Sequence, residues 1–339
     1  CSGLKPCSAR SSEQCSSMKP PLWAAALVGA GIASASALSV GSRDAGRRPD
    51  AAYSWATGGG WNVTMVPDLP DITSVCEVGN GWAAEWADEF EGDALNASSW
   101  SVVESPSGSG GAAFLQAPVA DLGSTACREA KCRAQNVQVS KGVLTLRSER
   151  DSTNVSKYFS GAVTTKGRVA WSDDRPYRLC VEAKLPFGQG LWPAHWMLPD
   201  NGISDRCLDE GEVDIMEMPH ADGNVFSTYH WMSSWPGKKC DDFKTHHRSD
   251  MHQSHVPKGW SRRFHEFAIE RSADHITFAV DGFEVYRTSA REQNFTLSHS
   301  PFFLILNTAV GGLWPGQPPA DTVFPAEHVI DYVRVVRQA

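Results

Sequence analysis

The amino-acid sequence predicts an all-β fold, a jelly-roll β-sandwich. Apolar residues recur at alternate positions in short runs, Gly- and Pro-containing turns separate the runs, and no long segment has helical periodicity. Strands that alternate in this way bury one face, and two sheets packed face to face satisfy that burial. The 339 residues leave room for one sandwich of about 250 residues and an N-terminal extension.

Two hairpins and one terminal strand are the clearest local signals. The segment 137–146, VQVSKGVLTL, alternates on both sides of Lys141-Gly142 and predicts a hairpin whose apolar side chains share one face. The segment 276–285 alternates around Asp281-Gly282, a dipeptide typical of two-residue hairpin turns. The β-branched run at 329–336 predicts a further strand.

The first 80 residues lack this alternation. Met18-Lys19 opens a stretch rich in Ala, Leu, Gly and Ser that ends in Ala35-Ser36-Ala37, a pattern typical of a secretory signal peptide. The alternative is a retained membrane anchor, although such residues form a weaker span than Leu and Ile. We therefore predict an upstream or fragmentary segment at 1–17, a signal peptide at 18–37, a linker or arm at 38–80, the main domain at 81–339 and a small polar, mobile insertion at about 106–126.

Composition limits the classes of partner. The chain has 31 Lys and Arg against 39 Asp and Glu, a net charge of −8, whereas a nucleic-acid binder needs clustered basic residues. Outside the predicted signal peptide, no segment has the ~18 apolar residues that a membrane span requires, so no stable membrane partner is expected. Thirteen Trp residues favour a site that grips flat sugar faces.

Cysteine usage agrees with export. Of nine cysteines, six follow Met18, and they allow three disulfides whose pairing the sequence leaves open. Zinc is the alternative, but the spacing lacks the paired C-x-x-C knuckles of a structural zinc site. Weaker support comes from the four N-x-[ST] glycosylation sequons at Asn62, Asn96, Asn154 and Asn294.

The candidate chemistry lies in segment 211–218, GEVDIMEM. On a regular strand Glu212 and Asp214 share a face, but Glu217 comes one residue too late. A β-bulge at Ile215-Met216 would return Glu217 to the acidic face.

Three carboxyl groups on one strand face have a plausible catalytic use. A retaining glycosidase needs two carboxyl groups about 5–5.5 Å apart, and a third carboxylate between them raises a neighbour's pKa toward that of a general acid. The alternatives are a solvated acidic strand or a Ca²⁺ site, which would more commonly recruit ligands from loops.

This segment resembles the E-x-D-x-x-E signature of glycoside hydrolase family 16, in the bulged form of its laminarinase branch. The resemblance covers most of residues 82–337. It implies a concanavalin A-like jelly roll with a concave substrate cleft. Four further segments carry it: 86–90 (WADEF), 190–199 (GLWPAHWMLP), 302–316 (FFLILNTAVGGLWPG) and 330–335 (IDYVRV).

The resemblance also implies roles. Glu212 matches the nucleophile, Glu217 the general acid/base and Asp214 the assisting carboxylate. Trp192, Trp196 and His230 match substrate-contacting residues of the cleft, and Trp314 suits its rim; Trp231, Trp235 and Trp260 are weaker candidates. We interpret the histidines at 246, 247, 252 and 255 as part of a flexible loop rather than a metal site.

The implied function is secreted, retaining endo-hydrolysis of β-1,3-glucan by a monomer. No cofactor is required, and a structural calcium at Asp331 is an option by resemblance. Alternatives are another β-linked polymer, such as mixed-linkage glucan or a marine galactan, and a glucan-recognition protein without turnover.

The chain also departs from the family pattern. Ala162 stands where an Arg is common, Cys180 and Glu182 stand where Glu and Arg are usual, and His195 replaces a large apolar residue. These departures concern the walls of the expected cleft and leave the carboxylates in place.

Overall fold

A computed structural model of the chain describes residues 54–56, 62–68, 72–105, 126–200, 211–219, 223–232, 247–257, 259–290, 297–312 and 314–339. The expected signal peptide and nearly all of the expected insertion lie outside these ranges. In chain order the strands are β1 (Ser54–Ala56), β2 (Asn62–Met65), β3 (Trp82–Asp88), β4 (Ser101–Val102), β5 (Ala130–Cys132), β6 (Val137–Ser140), β7 (Val143–Arg150), β8 (Tyr158–Ser160), β9 (Ala162–Thr164), β10 (Tyr177–Lys184), β11 (Leu191–Pro199), β12 (Glu212–Glu217), β13 (Asn224–Met232), β14 (His247–His255), β15 (His265–Arg271), β16 (His275–Val280), β17 (Phe283–Ser289), β18 (Phe302–Val310) and β19 (Ala326–Gln338). Short 3₁₀ turns cover Ala134–Asn136 and Trp260–Arg262.

These strands form two sheets. The nine-stranded sheet has the order β1-β2-β14-β13-β12-β11-β18-β9-β4. The ten-stranded sheet has the order β17-β16-β15-β10-β19-β7-β8-β5, with β3 beside β19 and β6 beside β7. Among the described strands, neighbours are antiparallel except for the pairs β2/β14 and β5/β8. The predicted all-β sandwich is confirmed.

The hydrophobic core lies between the sheets. Leu144 and Leu146 of the ten-stranded sheet and Met197, Val213 and Leu304 of the nine-stranded sheet are fully buried in one cluster. Residues two apart on a strand share a face, so the neighbours of these residues along each strand point away from the core. On β11 and β12 those outward neighbours include the predicted site residues.

Both predicted hairpins form. Val137 pairs with Leu146 across the turn at Lys141-Gly142, where φ is 55° and 75°. Asp281 and Gly282 have φ values of 51° and 80° and join β16 to β17. Positive φ at both central residues gives a turn whose twist matches the flanking strands, which explains why a glycine occupies the second position.

Parts of the predicted 38–80 arm are attached to the sandwich. Residues 62–65 form β2, which pairs with β14, and Thr64 and Val66 are buried. Further along, Cys76 forms a disulfide with Cys180 of β10. Among the described residues, no helix is long and apolar enough to cross a membrane.

We expect the Cys76–Cys180 disulfide to stabilise the domain. It joins residues 104 apart in sequence, and a cross-link that closes so long a loop limits the unfolded chain. The double substitution Cys76→Ala and Cys180→Ala should lower the free energy of unfolding by about 2–5 kcal/mol, measured by urea denaturation without reductant. An unchanged midpoint and slope would contradict this role.

Candidate active site

The acidic strand β12 carries the predicted bulge. Asp214 pairs with Thr228 and Glu217 with Phe226, so two residues of β12 face one residue of β13. That one residue is Ser227, whose hydroxyl donates to the Ile215 carbonyl at 3.1 Å. On the β11 side Ile215, rather than Met216, is left without a partner.

The bulge sorts the side chains of β12 into two sets. Val213, Ile215 and Met216 belong to the main hydrophobic core. Glu212 is half-buried, whereas Asp214 and Glu217 are 3% and 8% exposed on the other face. The strand therefore has a tightly packed back and an acidic front, as predicted.

Hydrogen bonds hold the acidic groups in place. His230, opposite Glu212 on β13, has its Nε2 2.9 Å from the Asp214 Oδ2. The indole Nε1 of Trp192 donates to the Glu217 Oε1 at 3.0 Å. Glu212 also bonds to Asp214. Each carboxyl group thus has a polar partner within a largely buried site.

The crowding of these carboxyl groups shifts their proton affinities. Burial, followed by the charge of Asp214, raises the pKa of Glu212 and Glu217. His230 and Arg128 oppose this shift at Glu212. Burial alone would lower the pKa of His230, but the hydrogen bond to Asp214 and the charges of Asp214 and Glu212 raise it. Burial and the neighbouring carboxyl groups thus favour the protonated form of Glu217.

Trp192 and Trp314 lie at the acidic face. Trp192 is 8% exposed and contacts Trp314 edge-on, with ring centroids 5.1 Å apart. The Phe226 ring also contacts Trp314 edge-on, with ring centroids 5.0 Å apart. These rings form an aromatic wall beside Glu217.

The other tryptophans have different surroundings. Trp196 is 7% exposed, and its Nε1 donates to Asn307 at 2.7 Å. Trp231 stacks on Tyr229, next to His230. Trp260 is buried in the core and stacks on His265, so it does not belong to this site. Trp235 lies outside the described residues.

Sequence reasoning missed Arg128. It precedes β5, and its guanidinium carbon lies 4.6 Å from the centre of the Trp192 ring. Its charge acts on both Glu217 and Glu212. The signal available in the sequence was the short segment between Cys127 and Cys132, which contains the basic residue Arg128.

The interpretation of the histidines at 247, 252 and 255 as part of a flexible loop is wrong, and His246 lies outside the described residues. Residues 247–255 form strand β14 rather than a flexible loop. His252 is buried, stacks on Tyr286 and bonds to the Thr64 hydroxyl at 2.8 Å. The segment HRSDMHQSH lacks apolar alternation because it lies near the sheet edge between β13 and β2.

Within the described residues, one cluster has the geometry of a metal-ligating set. Glu212, Asp214 and His230 offer ligand atoms that all lie within 4.8 Å of one another. The direct contact between His230 and Asp214 accounts for this proximity without an ion.

Comparisons with known proteins agree with this geometry. The sequence model of glycosyl hydrolases family 16 matches residues 128–334, more than half of the chain. The glucan endo-1,3-beta-glucosidase A1 of Niallia circulans is 29% identical over 273 residues, which cover 75% of this chain and 37% of that protein. The beta-glucanase of Rhodothermus marinus is 32% identical over 224 residues, which cover 61% of this chain and 72% of that protein. The chain thus spans well under half of the first relative's length.

A solved structure supports the same fold. The laminarinase catalytic domain from Thermotoga maritima MSB8 superposes with a TM-score of 0.61 at 29% identity. The match covers 76% of this chain and 99% of that domain.

We expect Asp214→Asn to lower the pKa of Glu217. Asp214 contributes a like charge that favours the protonated form of Glu217, and removing such a charge shifts a pKa by about one unit or more. A ¹³C NMR titration of glutamate carboxyl groups, assigned with Glu217→Gln, measures the change. Glu327→Gln removes an exposed charge from the other sheet and serves as the control. An unmoved Glu217 titration would contradict this electrostatic assignment.

Proposed function

The chain belongs to glycosyl hydrolases family 16, and we propose that it is a retaining endo-glycosidase that cleaves internal β-1,3 linkages of laminarin-type β-glucan. The observation that carries this proposal is the bulged strand that presents Glu212, Asp214 and Glu217 on one face. The glucan-active relatives support the substrate class.

In the first step Glu217 acts as the general acid. Its proton passes to the glycosidic oxygen while the Glu212 carboxylate attacks the anomeric carbon. The bond between the anomeric carbon and the leaving oxygen breaks, and a glycosyl ester on Glu212 forms. Burial and Asp214 raise the pKa of Glu217, which keeps this proton available near neutral pH.

In the second step Glu217 acts as the general base. The ionised Glu217 takes a proton from water, whose oxygen attacks the anomeric carbon and releases the Glu212 carboxylate. Two inversions at one carbon restore the β configuration. Protons and electron pairs balance without a cofactor.

The aromatic wall suits the substrate. Trp192 and Trp314 would offer apolar ring edges and faces to pyranose rings beside Glu217. His230 and Trp196 would contact flanking hydroxyl groups and sugar faces.

We propose that the enzyme acts on extracellular glucan after export directed by residues 18–37, and N-terminal sequencing of exported protein tests that step.

A structural Ca²⁺ beside Asp331 stays a prediction. Asp331 is the extra residue of a bulge in β19, opposite Glu182 and Ala183. Burial and the charges of Glu89 and Glu91 raise its pKa. Carboxylate oxygens are the ligands that Ca²⁺ prefers, so Asp331 would be one ligand of an ion bound at the ten-stranded sheet, which does not contain the acidic strand β12.

We expect Glu217→Ala to separate the two chemical steps. Hydrolysis of laminarin should fall by about 10²–10⁴-fold, the usual contribution of a general acid, whereas glycosylation by an aryl glucoside with a good leaving group should persist. Azide should restore the second step because it needs no deprotonation. Equal losses on both substrates, without azide rescue, would remove Glu217 from this role.

The stereochemistry of the first product tests the retaining mechanism. ¹H NMR during early turnover of laminarin should show the β-anomer before mutarotation. An initial α-anomer would instead require direct attack by water. No new reducing ends, with laminarin still bound, would favour a glucan-recognition protein.

A further inference from the structure

A short disulfide-closed loop reaches the acidic face. Cys127 and Cys132 are bonded to each other and lie five residues apart. Arg128, within this loop, has a φ of 57°, which is uncommon for a residue with a Cβ atom. Arg128 also forms an isolated parallel β-bridge with Val310 of β18.

Contacts at both ends fix this loop to the catalytic sheet. The Asn307 amide donates to the Ala126 carbonyl at 2.7 Å, and the Glu129 N–H donates to the Val310 carbonyl at 3.1 Å. A Cβ atom at Gly311 would lie 2.9 Å from the Glu129 carboxylate. The loop therefore approaches the end of β18 closely, at Gly311, whose φ of 73° favours glycine.

The sheet also provides room for the disulfide. Ala162 of β9 is fully buried and packs in a small hydrophobic cluster with Cys127 and Cys132. A long side chain at this position would compete with the disulfide for the same space. The small residue and the loop are thus complementary.

The Arg128 side chain joins the catalytic groups through Trp192. Its guanidinium stacks over the Trp192 ring at 4.6 Å, and that indole donates to Glu217 at 3.0 Å. A cation over an indole face is attracted by the ring quadrupole. Arg128 is therefore placed to hold the orientation of the Glu217 hydrogen-bond donor.

Arg128 also changes the charge of the site. The carboxyl groups of Glu212, Asp214 and Glu217 face the basic groups of His230 on β13 and Arg128 on the loop. Burial lowers the pKa of Arg128 to about 9, so this residue stays cationic at neutral pH. It supplies a positive charge to both glutamates independently of the histidine.

We propose that Arg128, presented by the Cys127–Cys132 loop, is a positioning residue that fixes Trp192 against Glu217 and places a positive charge beside both catalytic glutamates. This inference rests on the proposed function and assigns the disulfide loop to the active site. Arg128 acts through these enzyme groups rather than on the reacting atoms.

The test is the pH dependence of kcat/KM for laminarin in Arg128→Met and Arg128→Lys. Arg128 lowers the pKa of both glutamates, so its loss should move the acidic and basic limbs to higher pH by about one unit. On the acidic side this is about a tenfold loss of kcat/KM. Lys keeps the positive charge, and both Lys and Met have a Cβ atom, as Arg does, at this positive φ. Arg128→Lys should therefore retain most of the wild-type pH profile.

A matched pair of disulfide variants tests the loop. Cys127→Ala with Cys132→Ala should shift the limbs in the direction of Arg128→Met, because the loop no longer holds Arg128. Cys180 lies on β10 of the ten-stranded sheet and not in a wall beside β12, contrary to the expectation from sequence. Cys76→Ala with Cys180→Ala therefore removes a disulfide away from the acidic strand and should leave both limbs of the pH profile in place. Thermal melts confirm that each variant is folded.

Three outcomes would overturn the inference. The first is a pH profile of kcat/KM for Arg128→Met that superimposes on that of the wild type. The second is a shift of the profile in Arg128→Lys as large as in Arg128→Met. The third is a wild-type pH profile in the variant that lacks the Cys127–Cys132 disulfide. Wild-type protein without laminarin hydrolysis would instead overturn the proposed function. In that case ¹³C NMR titration of Glu212 and Glu217 in Arg128→Met still tests the charge effect, and unmoved titrations would refute it.

Discussion

The central constraint on this structure is electrostatic, because three carboxyl groups lie together on one largely buried strand face. Burial weakens solvation and like charges repel, so the pKa of Glu212 and Glu217 rises. This arrangement is stabilised by hydrogen bonds and positive charge from His230, Trp192 and Arg128. Crowding that would destabilise an ordinary strand here favours a protonated Glu217, as the proposed acid catalysis requires.

The core behind the strand makes this crowding persistent. Val213, Ile215 and Met216 are packed between the sheets, and Ser227 bonds to the carbonyl at the bulge. A shift by one residue would place acidic groups in the core, where burying a charge is costly. The bulge therefore fixes which side chains face the substrate, and the position of Glu217 depends on it.

Local patterns predicted much of this architecture. The turns at Lys141-Gly142 and Asp281-Gly282, and the bulge beside Glu217, follow from alternation within a few residues. Such local patterns do not predict contacts between distant residues. Asn307 forms a hydrogen bond with Ala126 across 181 residues. Arg128 contacts Trp192 from a loop whose disulfide the sequence could not assign. Strand β14 was missed because its polar residues lack an alternating apolar face.

The most direct test of the account is the identity of the residue that carries the glycosyl group. A 2-deoxy-2-fluoro laminaribioside with a good leaving group slows the second step more than the first, so the covalent intermediate accumulates. Peptide mass spectrometry after brief incubation should locate the added sugar on Glu212. A sugar on another residue, or rapid turnover of laminarin with no trapped intermediate, would contradict the assignment of Glu212 and Glu217.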